Sequence, residues 1–315
     1  MARVAIIGSG FIGRAWAIGY ARAGHEVALW DAVPDAPDQA IDYIAGVLPE
    51  LAANQLLGGA QPDEVRARLS TADTLEEALD GVDHVQENTP EDVDIKREIF
   101  ARLDAAAPAS AVLASSSSAI LPSKFTEHLK GRARCLVVHP INPPYLVPAV
   151  EVVPAPWTDP AVVARTREFL ISAGHAPIVM KKELDGFVMN RMQAALLEEA
   201  FRLVDDGYAS IEDVDIGIRE GLALRWSFMG PFETIDLNAP GGVRDYVGRY
   251  HGIFERLHRD QRRRADWLGG NLDGIEAERR KSLPADKLVE RQVWRDRRLM
   301  ALAAHKRQAD QDIGK

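Results

Sequence analysis

A histidine and a glutamate twelve residues apart are the first pair in this 315-residue sequence that could do acid–base chemistry. His139 follows an apolar run at 135–138, which predicts a buried strand, and Glu151 opens the next apolar run. Prolines make the connection between them rigid, so it could return the carboxylate to the imidazole. Most lone histidines are structural. A loop position just past a strand, with Asn142 three residues on, makes His139 the candidate for proton transfer near neutral pH.

A glycine-rich segment near the N-terminus suits the phosphates of a dinucleotide. An apolar run at 3–7, typical of a buried parallel strand, leads directly into it, and a mostly apolar helical pattern follows. Gly8 would permit the tight turn, Gly10 would let the backbone approach a pyrophosphate, and Gly13 would let the helix pack against the strand. This position between strand and helix makes the pattern strong evidence. The predicted phosphate-binding residues are Gly8, Gly10, Phe11, Ile12 and Gly13.

An acidic residue stands where the ribose of the cofactor would lie. Asp31 ends the second predicted strand, 18 positions after the last glycine. Its carboxylate would accept hydrogen bonds from the ribose hydroxyls and repel a 2′-phosphate, and residues 32–34 include no arginine to hold one. NAD is therefore favoured over NADP, while a flavin stays open because flavoproteins share the glycine pattern.

The elements that must position these groups alternate along the chain. Strands separated by helical segments predict an α/β domain with a Rossmann-type, doubly wound, mostly parallel sheet. After residue 182 the pattern changes to helices, so we predict an NAD-binding domain at 1–182 and an all-helical substrate and dimerisation domain at 183–315. The predicted strands are 3–7, 26–30, 82–86, 112–113, 135–138, 151–153 and 176–180, and helices are predicted at 92–105, 159–172 and 185–205.

Composition excludes several classes of protein. The hydrophobic fraction of 46% and charged fraction of 27% are those of a folded globular protein. The single Cys135 excludes an intramolecular disulfide, and no cysteine pair could bind a metal. The apolar N-terminal run is too short for a signal peptide, and the longest uncharged stretch, 105–123, is too rich in serine for a membrane span. Although the last quarter of the chain is basic, it has no nucleic-acid motif. We predict a cytoplasmic protein without nucleic-acid or membrane partners.

Further motifs give the chain a resemblance that runs over nearly its whole length. It resembles the 3-hydroxyacyl-CoA dehydrogenase family, and within that family the branch of lambda-crystallin and L-gulonate 3-dehydrogenase. The last two of its shared motifs point to this branch. The motifs are 8–13, 87–91 with Lys96, 115–118, 139–145, 151–154, 182–191, 225–231 and 292–296.

The resemblance implies an NAD-dependent oxidation of a secondary alcohol. A base must take the hydroxyl proton as hydride leaves, and polar groups must hold the oxygen as it becomes a carbonyl. By the resemblance, the base is His139 with Glu151 as its partner, the oxygen is bound by Ser118 and Asn190, and Glu91 and Lys96 lie along the cofactor.

Several of these residues have structural alternatives. Ser118 lies in a run of four serines and could cap a helix predicted to begin near residue 120. Glu91 could be an acidic residue at a helix N-terminus, and Lys96 a surface lysine. Asn190 has no evident local purpose in its predicted helix, which favours a functional role.

The charge pattern bears on the substrate. Coenzyme A carries phosphates that lysine and arginine would bind, but residues 31–95 contain no lysine and only two arginines among many carboxylates. We therefore predict a free hydroxy acid, L-gulonate or a small 3-hydroxycarboxylate, with 3-hydroxyacyl-CoA as the alternative. Arg225 is the candidate for binding the substrate carboxylate, with a structural ion pair or a subunit contact as its alternative. Asn142, Ser118 and Asn190 complete the predicted substrate site.

Two other functions stay open. A dehydrogenase of the 3-hydroxyisobutyrate type would use Lys181 or Lys182 and would leave His139 and Glu151 unexplained. A crystallin-like or NAD(H)-sensing protein would catalyse nothing. The aromatic residues of the helical region favour a homodimer; they are Trp226, Phe228, Phe232, Trp267 and Trp294.

Overall fold

Strands and helices alternate over the first 180 residues in a computed structural model, which describes residues 1–269 and 271–314. The strands are β1 (Arg3–Ile7), β2 (Glu26–Trp30), β3 (Leu69–Thr71), β4 (His84–Glu87), β5 (Val112–Ser115), β6 (Cys135–Pro140), β7 (Ala149–Pro154) and β8 (Ala176–Val179). The helices between them are α1 (Phe11–Arg22), α2 (Ala36–Ala53), α3 (Pro62–Arg66), α4 (Leu75–Ala78), α5 (Val93–Ala106), α6 (Pro122–Thr126) and α7 (Pro160–Ser172).

The eight strands form one sheet in the order β3-β2-β1-β4-β5-β6-β7-β8. The strands from β1 to β6 pair in parallel, β7 runs antiparallel to β6, and β8 is parallel to β7. Helices cross from strand to strand on both sides. The predicted doubly wound, mostly parallel sheet is therefore confirmed, with β7 and β8 running opposite to the other six strands.

Side chains of the central strand alternate between two hydrophobic cores. Val4 and Ile6 pack with Trp16 on one face of the sheet, while Ala5 and Ile7 pack with Phe100 on the other. Because successive side chains of a strand point to opposite faces, a run that is apolar at every position must be buried on both. This burial fixes β1 at the centre of the sheet and brings the glycine-rich segment to its carboxyl edge.

Residue contacts divide the chain into two units. The first comprises Met1–Met189 together with Trp294–His305, and the second comprises Asn190–Val293 and Lys306–Lys315. In the first unit, the returning helical segment buries Met300 in the core around Trp16, and Arg297 forms an ion pair with Glu50. No sequence pattern indicated that a segment of the C-terminal region joins the first unit.

The second unit is helical over its described residues. Trp226, Phe228 and Phe232 are exposed in this chain, and the homodimer that they favour stays a prediction. None of the described helices has the length and apolar character needed to span a membrane. The helices from Met189 onward are α8 (Met189–Asp205), α9 (Ile211–Ile216), α10 (Ala223–Trp226), α11 (Pro231–Leu237), α12 (Gly242–Asp260), α13 (Asn271–Ser282) and α14 (Leu288–Asp312).

Buried histidines of the first unit make its stability depend on pH. Burial lowers the pKa of His84 and of His175 from 6.5 to about 4 each, and the nearby Arg22 cation lowers that of His175 further. The folded state therefore holds both rings neutral, whereas the unfolded chain protonates them below pH 6.5. The contribution of these neutral rings to the free energy of unfolding is fully present above pH 6.5. It decreases as the pH falls towards 4, by about 3 kcal/mol per histidine.

Chemical denaturation at several pH values checks this expectation. His175→Phe, which keeps an aromatic ring beside Trp16, should lose less stability than the wild type between pH 6.5 and pH 4. The exposed His128 offers a control, since His128→Asn should behave like the wild type. An unchanged pH dependence in His175→Phe would contradict the prediction.

Candidate active site

The turn after β1 has the geometry that a dinucleotide phosphate requires. Gly8 has a φ of +91°, and a Cβ there would lie 2.9 Å from the backbone of Asn88. A Cβ on Gly13 would lie 1.9 Å from the carbonyl oxygen of Gly8, so only glycine fits at either position. A Cβ on Gly10, by contrast, would meet nothing within 4 Å, and its position just before α1 leaves open space at the helix N-terminus.

The first backbone N–H groups of α1, those of Phe11 and Ile12, have no partner within the helix and suit an anion. A cleft of 590 Å³ extends from this point, and Gly8, Gly10 and Asp31 are among the residues that line it. The residues present therefore fit the diphosphate and the adjoining ribose of a dinucleotide.

Asp31 is held firmly at the end of β2. Its Oδ2 accepts a hydrogen bond from the Ser9 N–H at 2.6 Å, and its Oδ1 accepts one from Val33 at 3.0 Å. Each carboxylate oxygen keeps a further lone pair for a ribose hydroxyl. Arg102 of α5 lines the same cleft, with its guanidinium 5.5 Å from the ring centre of Trp30. No sequence pattern indicated this arginine, because it lies far along the chain from Asp31.

His139 and Glu151 are opposite each other in the sheet. They pair in the antiparallel register of β6 and β7, and His139 Nδ1 lies 2.7 Å from Glu151 Oε2. The predicted loop position of His139 is wrong, because β6 continues to Pro140. Cross-strand pairing places the two side chains on the same face of the sheet, and with Nδ1 engaged, Nε2 is the ring nitrogen left to take up a proton.

The other oxygen of Glu151 is held by the chain just before α8. The backbone N–H groups of Val188 and Met189 donate to Glu151 Oε1 at 2.6 and 2.9 Å. Phe187, which is fully buried with a φ of +51°, turns the chain there and lies 5.4 Å from the imidazole, centre to centre. Burial alone would raise the pKa of Glu151, but the hydrogen bonds from His139 and from these two N–H groups lower it below its usual value. The carboxylate is thus kept ionised beside the imidazole.

The four serines at the end of β5 and just after it, 115–118, have different surroundings. The hydroxyls of the first three donate hydrogen bonds inside the protein: Ser115 to Glu87, Ser116 to Asn88 and Ser117 to Glu91. Ser118 is exposed, and Ser117 rather than Ser118 accepts the N–H of Ile120. The helix begins at Pro122 and no side chain caps it, so Ser118 does not have the capping role considered from the sequence.

Glu91 organises this serine segment. Its Oε1 accepts the backbone N–H groups of Ser118, Ala119 and Ile120 at 3.0, 2.9 and 3.2 Å. Burial raises the pKa of Glu91, but the hydrogen bonds from the Ser117 hydroxyl and from the N–H groups of Ala119 and Ile120, with the nearby Lys96 cation, lower it overall. The alternative role considered for Glu91, an acidic residue at a helix N-terminus, is filled by Asp92, whose side chain caps α5.

Lys96 is buried, so the interpretation of Lys96 as a surface lysine is wrong. Its ammonium lies 3.1 Å from both carboxylate oxygens of Glu87 and 3.9 Å from Glu91. Sequence reasoning missed Glu87 as a functional candidate. A glutamate at the end of a strand predicted to be buried, nine residues before a lysine, was the available signal.

The remaining predicted residues lie elsewhere. Asn142 is exposed on the connection between β6 and β7. Asn190 belongs to α8 and Arg225, which is exposed, to α10, both in the second unit. Their roles at the site stay predictions.

Comparison with known families identifies the relatives of this site. The family models described as the NAD binding domain and the C-terminal domain of 3-hydroxyacyl-CoA dehydrogenase match residues 3–184 and 186–269. The chain belongs to the 3-hydroxyacyl-CoA dehydrogenase family. The resemblance drawn from the motifs is therefore confirmed, and so is NAD as the cofactor.

Individual proteins and a solved structure are similar to most of the chain. Lambda-crystallin of Oryctolagus cuniculus is 40% identical over 97% of this chain and 96% of its own length. L-carnitine dehydrogenase of Streptomyces griseus is 43% identical over 76% of this chain and 71% of its own length. The solved structure of 5-formyl-3-hydroxy-2-methylpyridine 4-carboxylic acid 5-dehydrogenase has a TM-score of 0.83 at 28% identity and covers 98% of this chain and 99% of that one. Like its family, the chain is an NAD-dependent oxidoreductase that oxidises a hydroxyl group.

Proposed function

We propose that this enzyme oxidises the 3-hydroxyl of a free hydroxy acid, L-gulonate or a small 3-hydroxycarboxylate, to the 3-oxo acid, with His139 as the general base. The hydrogen-bonded pair of His139 and Glu151 carries the proposal, since a buried carboxylate that fixes Nδ1 prepares Nε2 to accept a proton. NAD+ supplies the hydride acceptor when it is bound.

In this mechanism the protein residues handle the proton and the oxygen. As the C–H hydride leaves, the hydroxyl proton passes to His139 Nε2 and the C–O bond becomes a carbonyl. The ionised Glu151 stabilises the imidazolium that forms, because an opposite charge at 2.7 Å favours the protonated ring. Ser118 and Asn190 are proposed to hold the substrate oxygen, and Arg225 its carboxylate.

Surface charge supports a free acid over a CoA thioester. Asp35, Asp38 and Asp42 are exposed at the start of α2, within the lysine-free stretch 31–95. Carboxylates there would repel the phosphates of coenzyme A. Two of the similar enzymes have names that refer to free acids. One is named for L-carnitine, which is a hydroxy acid, and the other for a pyridine carboxylic acid. The alternative, a 3-hydroxyacyl-CoA substrate, is favoured by the family description itself.

A substrate panel tests the choice. We expect L-gulonate or a small free 3-hydroxy acid to be oxidised with a kcat/KM at least about 100-fold above that of 3-hydroxybutyryl-CoA, because roughly 3 kcal/mol of repulsion and lost carboxylate binding separates them. NADH absorbance reports the rate for each compound. A series at rising ionic strength is the control, since screening should improve thioester turnover if repulsion is the cause. Efficient turnover of 3-hydroxybutyryl-CoA at low salt would reverse the choice of substrate.

A further inference from the structure

A buried ion pair lies directly beneath the serine segment. Glu87 ends β4 with no exposed surface, and both of its carboxylate oxygens contact the ammonium of Lys96, itself only 1% exposed. Ser115 Oγ donates to Glu87 Oε2 at 2.5 Å, and the Thr89 N–H donates to Oε1 at 2.6 Å. The carboxylate thus binds two strand ends and the start of a loop as well as the lysine.

The same ammonium faces a second carboxylate. Lys96 Nζ is 3.9 Å from Glu91 Oε2, while Glu91 Oε1 holds the N–H groups of residues 118–120. A continuous series of polar contacts therefore leads from Glu87 through Lys96 and Glu91 to the backbone of Ser118.

The position of the ammonium depends on the charge on each side of it. A cation with little access to water stays where the carboxylates hold it, because it cannot be solvated elsewhere. Its contacts to Glu87 are shorter than its 3.9 Å distance to Oε2 of Glu91, whose Oε1 holds the three backbone N–H groups. If Glu87 lost its charge, the ammonium would be drawn closer to Oε2, and the Glu91 carboxylate would shift away from those N–H groups.

We infer that Glu87 is a positioning residue, which fixes the backbone of residues 118–120 through Lys96 and Glu91 and thereby places the Ser118 hydroxyl. The inference rests on the proposed function only for the role of Ser118 on the substrate oxygen. Glu87 touches neither substrate nor cofactor in this scheme.

Hydrogen exchange tests the contacts without reference to activity. In Glu87→Gln, which keeps the size of the side chain, the amides of Ser118, Ala119 and Ile120 should exchange at least about tenfold faster than in the wild type, because Glu91 holds them less. Asp104→Asn is the matched control: Asp104 is a nearly buried partner of Arg134 at 3.0 Å in the same unit. It should lower the unfolding midpoint without accelerating exchange at 118–120.

Exchange that stays as slow in Glu87→Gln as in the wild type would overturn the inference. If Glu87→Gln does not fold, Glu91→Ala takes its place, since Glu91 is partly exposed and removing its carboxylate should release the same three amides. Amides that stay protected in folded Glu91→Ala would likewise overturn it.

A double-mutant cycle tests the route through Ser118. Glu87→Gln should lower kcat/KM about tenfold in the wild type but less than about twofold in a Ser118→Ala background, because the hydroxyl that it positions is already gone. If the losses of kcat/KM in the two single variants multiply in the double variant, Glu87 does not act through Ser118. Full activity of Ser118→Ala would overturn the role of Ser118 in the proposed function, while the exchange measurement would still decide whether Glu87 holds the segment.

Discussion

Replacing His139 by glutamine is expected to lower kcat by roughly 10³-fold, the loss typical of removing a general base. Glutamine is close in size to histidine and can donate to Glu151, so the pairing of β6 and β7 should persist. Because the glycine turn and Asp31 line the cofactor cleft and His139 does not, the affinity for NADH should change by less than about twofold. Initial rates of NADH formation and a fluorescence titration with NADH measure the two quantities.

The control for His139 is Lys182, which a lysine-based mechanism would need. Lys182 is exposed, and Lys182→Ala should keep nearly full activity. If the alanine variant at Lys182 were inactive and His139→Gln were active, the proton would pass through a lysine. An equal loss of activity and NADH binding in His139→Gln would also contradict the assignment of His139 as the base.

Replacing Glu151 by glutamine is expected to lower kcat by at least roughly 10²-fold with little change in fold. The glutamine oxygen can still accept the N–H groups of Val188 and Met189, which preserves that contact. Its amide, however, would donate to Nδ1 of His139 and leave the proton on Nε2, so the imidazole would be in the wrong tautomer to accept the substrate proton. The missing charge would also leave the imidazolium without its stabilising partner.

Kinetic and unfolding measurements together check the role of Glu151. The variant should keep an unfolding midpoint near that of the wild type while kcat falls. Glu50→Gln, which removes the partner of Arg297 at the surface of the same unit, should leave kcat unchanged. A Glu151→Gln enzyme with wild-type kcat would assign Glu151 a structural role only.

The local patterns that sterics dictate were predictable from the sequence. Gly8 and Gly13 are required because a Cβ would meet backbone atoms at 2.9 Å or less, and such a constraint is visible in residue type alone. The strand before them and the helix after them follow from continuous burial and from the helical pattern. Asp31 was placed correctly at the end of its strand for the same reason.

Pairing across the sheet was only partly predictable. The rigid connection indicated that Glu151 could return to His139, but not that β6 would continue to Pro140 and place both residues in antiparallel register. Strand register depends on which faces are buried by distant elements, here α1 and α7, and twelve residues of sequence do not contain that information.

Fold class, cofactor and the candidate pair of His139 and Glu151 were predicted from the sequence by itself, because residue type and spacing along the chain encode strand burial, the glycine turn and the acidic residue after β2. Only the tertiary structure decided that Lys96 is buried against Glu87, that Glu91 holds residues 118–120, and that the N–H groups before α8 reach Glu151. Those contacts join residues from different strands and loops, and whether a charged side chain is buried depends on what the rest of the chain places around it.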